Sequence, residues 1–531
     1  MTAAGYDAIV IGSGFGGAVT ASRLAEAGYR VLVLERGRRW AAADFPREPG
    51  DPWRWDDAHP ERDNGWIDFR IFRSMAVAQG AAVGGGSLVY ANISIEATPD
   101  TFDAGWPPEV TYQELAPHYA AVAATMNVQP VPRGQWPART ALMHEAATAT
   151  GQADRFRPLD LAVNFDPGWD PAADDRFDPA RSRRFTNAEG IEQGTCVHLG
   201  ECDIGCPVLA RNTLDLNYLP RAERHGAEVR PLHVVRTIER TGDTYRVHAD
   251  RIEAGRLVPV TDSARIVVVA AGSLGSTDLL LRCRDVAKTL PDLPATIGSG
   301  WSSNGDFLTI GLHDGRRIEP TRGPTITSAI DFRDGSVDGR PFIIEDGGFP
   351  GIVAAWLSEA PTRLAWLRRE RVVYRAFQQA VRDRAEFHEV MPWFAQGRDA
   401  ADGRLRLRRR WLGLFGRLQL DLDWDVAASR PTIEAIIAMH ERLARATGGT
   451  PVVPLSWSWL GYLITPHPLG GCNMGTDPER SVVDHRGRVW GQPNLYVADG
   501  AIIPEALGAN PSRTIAALAE RIASIAIAEG R

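Results

Sequence analysis

The sequence predicts an α/β fold with a doubly wound parallel sheet, and one N-terminal stretch carries most of that prediction. Residues 6–36 read YDAIVIGSGFGGAVTASRLAEAGYRVLVLER, the pattern of a buried strand, a glycine turn, a helix and a second buried strand. A second strand–glycine–helix passage, VVVAAGSLGSTDLLL, follows much later in the chain. Because both passages suit the same sheet, we expect a dinucleotide-binding domain of the Rossmann type that is discontinuous in sequence.

The first unit places the pattern G-x-G-x-x-G at Gly12, Gly14 and Gly17, where the strand ends and the helix begins. The first glycine permits a tight turn, the second lets the backbone approach a pyrophosphate, and the third lets the helix pack on the strand. The helix, predicted from Ala18 to Ala27, would present its free N–H groups to the phosphates. The next strand delivers Glu35 where an acid can accept hydrogen bonds from a ribose. A glycine-rich turn without a ligand is the alternative, and the complete unit disfavours it.

The composition describes a globular protein of more than one unit. The chain has 531 residues, of which 44% are hydrophobic and 24% charged, and this length predicts two interleaved domains. A net charge of −7 argues against general nucleic-acid binding. No window approaches the roughly 18 apolar residues of a membrane span, and no basic region precedes the first strand, so we expect neither a span nor a signal peptide.

A second glycine-rich loop, GAAVGGGSLVYAN, runs from Gly80 to Asn92. So many glycines are tolerable only where the backbone must come very near something flat or charged. A mobile linker is the alternative, but linkers do not carry Val83, Leu88 and Tyr90 around their glycines. We therefore predict that this loop belongs to the nucleotide site.

Two long stretches show little periodicity. Trp40 to Trp66 is rich in Trp, Pro and Asp and predicts a long excursion over the surface. Pro130 to Asn187 is rich in Pro, Asp and Arg and predicts irregular coil in the substrate domain. Neither stretch is expected to form regular elements.

Three of the five cysteines lie together at Cys196, Cys202 and Cys206. Thiolates at this spacing can ligate an iron–sulfur cluster. Reduced thiols in a glycine-bearing loop are the favoured alternative, because a fourth ligand is absent. We therefore expect no metal, and a reducing, cytoplasmic location.

Several segments together identify a family resemblance. In order, from Ile11 to Ile522, they are IGSGFGGAVTASRLAEAG, GAAVGGGSLVYANI, AAGSLGSTDLLLRCRD, IGSGWSSNGD, PFIIEDGGFP, HPLGGCNMG and NLYVADGAIIPEALGANPSRTIAALAERI. With them the chain resembles the glucose–methanol–choline (GMC) flavoprotein oxidoreductases, most closely the bacterial cholesterol oxidase branch with noncovalent FAD. The resemblance implies an FAD-binding Rossmann-like domain interleaved with an α+β substrate-binding domain built on an antiparallel sheet. The segments between the matches resemble the oxidases weakly, so the substrate is left open.

The resemblance also implies the catalytic residues. The family's active-site histidine falls on His467, which Pro466 and Pro468 hold on both sides. Its active-site asparagine falls on Asn510, directly before Pro511 and an amphipathic helix, where Asn is also a favourable helix N-cap.

The family's third residue, a glutamate, falls on Glu345 at the end of PFIIE. In the oxidases this acid moves a proton during isomerisation of a steroid double bond. Here Asp346 and two glycines follow instead of an apolar continuation, which indicates a differently shaped pocket. A strand-end carboxylate facing water is the alternative role for Glu345.

The resemblance and the glycine loops together predict the cofactor site and the domain limits. FAD, bound noncovalently, is expected to contact Gly12, Gly14, Phe15, Gly17, Glu35, Arg36, Gly84, Gly85, Gly86, Ser87, Asn92, Val235, Ala271, Gly272, Asp499, Gly500, Asn510 and Pro511. The FAD domain is predicted over residues 1–40, 75–95, 211–310 and 468–531, and the substrate domain over residues 41–74, 96–210 and 311–467.

The predicted activity is oxidation of a bulky hydrophobic, steroid-like secondary alcohol to a ketone by hydride transfer to FAD, with oxygen as acceptor. One alternative is a dehydrogenase that passes electrons to a quinone or protein, and another is a flavin-binding protein without alcohol chemistry. Two arginine- and tryptophan-bearing segments, Trp356 to Phe377 and Arg404 to Arg417, suit peripheral contact with an anionic membrane. A solvated helix is the alternative for the first of them.

Overall fold

The computed structural model describes residues 5–48, 50–353, 387–409 and 418–530. The strands are β1 (Tyr6–Ile11), β2 (Val31–Leu34), β3 (Arg54–Trp55), β4 (Ile67–Ile71), β5 (Met75–Gly80), β6 (Gln129–Pro130), β7 (Phe156–Pro158), β8 (Asp160–Leu161), β9 (Phe185–Thr186), β10 (Glu192–Gln193), β11 (Glu228–Arg230), β12 (His233–Thr241), β13 (Thr244–Glu253), β14 (Arg256–Val269), β15 (Ser299–Trp301), β16 (Phe307–Leu312), β17 (Ser328–Phe332), β18 (Phe342–Asp346), β19 (Val390–Gly397), β20 (Gly403–Arg409), β21 (Leu418–Asp423), β22 (Thr450–Val452), β23 (Leu463–Thr465) and β24 (Leu495–Val497). The α-helices are α1 (Phe15–Glu26), α2 (Tyr112–Thr125), α3 (Ala138–Ala149), α4 (Tyr218–Arg224), α5 (Gly272–Leu281), α6 (Arg430–Ala446), α7 (Leu455–Leu460) and α8 (Ser512–Gly530).

The larger sheet has seven strands and contains the parallel unit that the N-terminus predicts. Its order is β11-β2-β1-β14-β13-β12, and β24 pairs with the end of β14. Strands β11, β2, β1, β14 and β24 are parallel where they pair. Strand β13 pairs antiparallel with β14, and β12 pairs antiparallel with β13. All four residues of β2 are buried, as expected for a strand covered on both faces. The predicted Rossmann-like fold is confirmed.

The second large sheet has six strands in the order β22-β16-β19-β18-β17-β7, and every pairing in it is antiparallel. The predicted antiparallel sheet is therefore confirmed. One hydrophobic core joins the two sheets, since Ile9 of the first and Phe342 of the second belong to the same buried cluster. Strand β16 crosses the predicted limit at residue 310, and the domain boundaries themselves stay a prediction.

Two expectations about irregular stretches are wrong. The aromatic side chains Trp40, Trp55 and Trp66 are buried rather than carried over the surface, and Trp40 and Trp66 pack against each other. The second stretch contains α3, whose residues Leu142 and Met143 are fully buried. Tertiary packing stabilises these segments although their local sequence shows weak periodicity.

Candidate active site

A cavity of about 1080 Å³ lies between the two large sheets and brings most of the predicted site residues together. The predicted residues that line it are Gly12, Gly14, Phe15, Glu35, Arg36, Gly85, Gly86, Val235, Ala271, Gly272, His467, Asp499, Gly500, Asn510 and Pro511. Gly17, Gly84, Ser87, Asn92 and Glu345 are absent from this wall. One continuous space thus reaches from both glycine loops to the predicted catalytic histidine.

The two glycine loops leave room for a flat or charged ligand at particular positions. A Cβ on Gly12 would lie 2.3 Å from the Ala270 carbonyl oxygen, and one on Gly17 would lie 2.0 Å from the Gly12 carbonyl oxygen. By contrast, a Cβ on Gly86 would meet no protein atom within 4 Å, and one on Gly14 would meet only the Gly85 Cα, at 3.9 Å. The backbone at Gly14 and Gly86 is therefore uncovered, as the close approach of a pyrophosphate requires, and these residues fit FAD.

Ser13 ties the two loops together. Its hydroxyl donates to Glu35 Oε2 at 2.6 Å and accepts from the Gly84 N–H at 3.0 Å. The Ser13 and Gly37 N–H groups also donate to the Glu35 carboxylate, at 3.0 and 2.9 Å. Burial raises the pKa of Glu35, although these hydrogen bonds oppose the rise. Glu35 thus fixes the loops, and its contact with a ribose stays a prediction.

Asp499, another residue of the cavity wall, connects the start of α5 to the turn that follows β24. Its carboxylate accepts from the Gly272 N–H at 2.7 Å, from Ser276 Oγ at 2.5 Å and from the Ala501 N–H at 2.8 Å. Burial raises the pKa of Asp499. Two donors from α5 and one from the turn after β24 thus fix this acid at the end of the last parallel strand.

His467 is held by a partner that the sequence analysis missed. Its Nδ1 lies 2.8 Å from Asp306 Oδ1, and Thr465 Oγ1 donates to Asp306 Oδ2 at 2.5 Å. Burial lowers the pKa of His467, but the charge and hydrogen bond of Asp306 outweigh it, and the pKa is raised overall. Asp306 lies within the quoted segment IGSGWSSNGD, yet no local signal separated it from the other residues there.

Glu345 is fully buried on β18, so the alternative of a water-facing carboxylate is wrong. Gln396 Nε2 donates to its Oε2 at 3.0 Å, while His467 and Asn510 are near enough to affect its pKa. Burial raises the pKa of Glu345 to about 7 against these opposing influences. Glu345 therefore lies behind the cavity wall, next to both other predicted catalytic residues.

Asn510 is buried, and its Oδ1 has no hydrogen-bond partner among the described residues. The predicted N-cap is wrong: α8 begins at Ser512, and its first turn is closed by Ile515 N–H donating to the Pro511 carbonyl. The chain enters the helix after Pro511, which leaves the Asn510 amide free of the helix. An orphaned buried acceptor in a cavity wall fits a site made for a ligand.

The cavity wall includes four large hydrophobic side chains that are between 36% and 57% exposed, and we call this group the apolar mouth. They are Phe69, Ile71, Val286 and Leu308.

All five cysteines are unpaired. Burial raises the pKa of Cys202 to about 11. In the part of the chain that the structure describes, no three His, Cys, Asp or Glu side chains are grouped to hold a metal ion. The absence of iron stays a prediction.

Residues 356–377, the first arginine-rich segment, lie outside the described residues, as do residues 410–417 of the second. The described part of the second segment is strand β20, paired with β21. Its Arg406 and Arg408 form ion pairs with Asp423, so these charges are already partnered. Among the described residues, no helix is long and apolar enough to span a bilayer.

Comparison with known proteins agrees with the site geometry. Residues 400–519 match the family profile described as GMC oxidoreductase, and residues 10–51 match an NAD(P)-binding Rossmann-like domain. The chain is 32% identical to a cholesterol oxidase of Mycobacterium tuberculosis over 98% of its own length and 91% of the relative. The chain belongs to the GMC oxidoreductase family.

Other relatives share the family but differ in their names. A cholesterol oxidase of Acinetobacter baumannii is 29% identical, over 98% of this chain and 94% of the relative. A 2-methyl-1,2-propanediol dehydrogenase of Mycolicibacterium austroafricanum is 25% identical, over 97% of this chain and 94% of the relative. A solved pyridoxine 4-oxidase from Mesorbium loti has the same fold, with a TM-score of 0.63 and 17% identity over 98% of both chains. This GMC protein is thus an FAD-dependent alcohol oxidoreductase.

Proposed function

We propose that this GMC protein oxidises a bulky hydrophobic, steroid-like secondary alcohol to a ketone and that oxygen re-oxidises the flavin, giving hydrogen peroxide. The observation that carries the proposal is the convergence of His467, Asn510 and Glu345 beside a large cavity with an apolar mouth. The names of the cholesterol oxidase relatives support the steroid-like class.

FAD would be held noncovalently between the two glycine loops and the start of α5, and when bound it accepts the hydride of the carbinol carbon. Ser13 and Asp499 would hold those loops and the α5 start in place. The N–H groups at the start of α1 provide the positive end of a helix dipole for the pyrophosphate.

His467 would take the hydroxyl proton. With Nδ1–H donated to Asp306, the ring presents Nε2 as an acceptor. The nearby carboxylate strengthens that acceptor, because a positive imidazolium beside Asp306 is stabilised. His467 therefore acts as the general base in this proposal.

Asn510 would orient the substrate hydroxyl, and Glu345, whose pKa is raised to about 7, would be partly protonated beside it. The acceptor oxygens Glu345 Oε1, Gln396 Oε1 and Asn510 Oδ1 are buried without hydrogen-bond partners among the described residues. A protonated Glu345 supplies the one O–H that can satisfy a neighbouring acceptor. When Glu345 is ionised, the Asn510 N–H₂ donates to its carboxylate, in keeping with the lowering effect of Asn510 on this pKa, and Asn510 Oδ1 is left for the substrate hydroxyl.

The apolar mouth supports the bulky substrate class and peripheral contact with a membrane from which such an alcohol could be drawn. Co-sedimentation with phospholipid vesicles, compared between the parent and Ile71→Ser, tests the membrane contact. Equal sedimentation of the two proteins would count against it. A cytoplasmic location also remains part of the proposal, supported by the unpaired cysteines.

One experiment tests the proposed activity. Anaerobic bleaching of the bound flavin is measured with panels of sterols, terpenoid alcohols and sugars, and peroxide yield is then measured in air. Bleaching by bulky apolar alcohols with stoichiometric peroxide is expected. Bleaching without peroxide would favour the dehydrogenase alternative, which the name of the propanediol dehydrogenase relative supports, and no bleaching with any alcohol would favour a flavin-binding protein.

A further inference from the structure

Asp203 is a carboxyl group in the wall of the active-site cavity that neither the glycine loops nor the catalytic cluster uses. It belongs to the short turn Cys202–Ile204. Its hydrogen-bond donor among the described residues is the Thr325 hydroxyl, at 3.3 Å from Oδ1 and 3.2 Å from Oδ2. Because a single hydroxyl proton is shared between the two carboxylate oxygens at long distances, most of the capacity of Asp203 to accept hydrogen bonds is unused.

The other acids of this wall are better satisfied. Within the described ranges, each of these other acids has an arginine within 4.0 Å or accepts hydrogen bonds from backbone N–H groups. The acids are Glu35, Asp56, Asp57, Asp68, Asp278 and Asp499. Arg211 lowers the pKa of Asp203 through its charge, but its guanidinium donates to the carbonyl oxygens of Leu88 and Tyr90. Asp203 is therefore the wall acid with the least support from the protein.

The loop that carries Asp203 is rigidly placed. Arg47 donates to the Gly205 carbonyl and to Glu201 at 2.8 Å each. A Cβ on Gly200 would lie 2.0 Å from the Thr321 carbonyl oxygen, so the backbone is packed tightly there. These contacts hold the backbone on both sides of Asp203, so its position in the cavity wall is defined.

We infer that Asp203 and Thr325 form a second polar subsite that binds a hydrogen-bond donor on the substrate, remote from the hydroxyl that is oxidised. The inference rests on the proposed function. Ile326, which follows Thr325 in the chain, and Phe349 line the same cavity, so the matching substrate is a bulky apolar alcohol with a second hydroxyl or an amine. Burial raises the pKa of Asp203 to about 6, which leaves the acceptor form dominant at neutral pH.

The test compares two probes. One is a rigid saturated tetracyclic alcohol with its hydroxyl at one end, and the other is the matched diol with a second hydroxyl at the opposite end. Anaerobic stopped-flow gives the rate of flavin reduction over the dissociation constant for each probe. A hydrogen bond to a charged group predicts that the parent favours the diol by about tenfold to hundredfold.

In Asp203→Asn this preference should shrink to within about threefold, because the charged acceptor is lost. The control Asp278→Asn removes a wall acid that is paired with Arg282 and should keep the preference of the parent. The mono-ol gives the reference rate for each variant, which corrects for folding and FAD content.

Equal rates with both probes in the parent would overturn the subsite while leaving the proposed function in place, and that result does not depend on any variant. A parallel loss with both probes in Asp203→Asn would also overturn it, because Asp203 would then act on the flavin site. If neither probe reduces the flavin, the proposed function fails and the subsite fails with it.

Discussion

Replacing Asp306 by Asn tests whether the buried carboxylate sets the basicity of His467. The variant keeps the shape of the side chain and an oxygen to accept the Nδ1–H, but it removes the negative charge 2.8 Å from Nδ1. A hydrogen bond to a charged group contributes about 1.5–3 kcal/mol, and about 1.4 kcal/mol corresponds to one pKa unit. The pKa of His467 should therefore fall by about one to two units.

The sign of the kinetic effect follows from the role of the ring. A base must be unprotonated, so flavin reduction rises with pH through the pKa of His467. In Asp306→Asn that rise should move to lower pH, while the plateau rate falls because a weaker base removes the proton more slowly. Two other acids act on this pair through their charge, Asp399 on Asp306 and Glu345 on His467, and both remain in the variant.

Anaerobic stopped-flow over a pH series measures both quantities. Thr465→Val is the matched control, because it removes another partner of Asp306 but keeps the charge. Thr465→Val should lower the plateau rate of flavin reduction modestly. It should shift the pH at which that rate rises far less than Asp306→Asn does. A variant that loses rate without any displacement of the pH profile would show that Asp306 only supports the fold, and the reasoning would be refuted.

Four further outcomes are expected. His467→Ala should keep its FAD but slow flavin reduction by about 10²- to 10⁴-fold with little change in substrate affinity, and a change within about threefold would rule out a catalytic role. Denaturation should release intact FAD into the supernatant, and flavin that stays with the precipitated protein would contradict noncovalent binding. The purified protein should contain no iron, and absorbance beyond the flavin bands that is lost in Cys202→Ser would overturn this. Because the pKa of Glu345 in the folded protein is raised to about 7, the parent should lose stability as pH rises from about 4.5 to about 7. Denaturant titrations at these two pH values should show that Glu345→Gln removes up to about 3 kcal/mol of that loss. Identical pH dependence in both proteins would argue against the raised pKa.

The local sequence was sufficient to predict the parallel part of the larger sheet. The buried run of β1, the positive φ of 97° at Gly12 and the helix that follows are all consequences of neighbouring residues. Such elements can be predicted because strand periodicity and glycine conformation depend little on distant parts of the chain. The quoted segments also placed His467 and Asn510 in one cavity, although 43 residues separate them.

The missed partners depend on contacts between distant segments. Asp306 and His467 are 161 residues apart, and Glu345 and Gln396 are 51 residues apart. Nothing within a few residues of Asp306 distinguishes it from the surface aspartates of the chain. The burial of Trp55 is equally non-local, since its stretch has the composition of a loop but packs against the main domain.

The two buried carboxyl groups at the site differ in what faces them. Asp306 meets donors, the His467 ring N–H and the Thr465 hydroxyl, which favour its ionised form. Glu345 also has amide partners, Gln396 and Asn510, whose hydrogen bonds lower its pKa, but burial outweighs them and raises the pKa to about 7. Burial raises the pKa of both acids, and they differ in that Asp306 is paired directly with the His467 ring. A proton leaving the substrate hydroxyl would therefore move to His467, which Asp306 holds directly, while Glu345 contacts Asn510 and acts on His467 only through its charge.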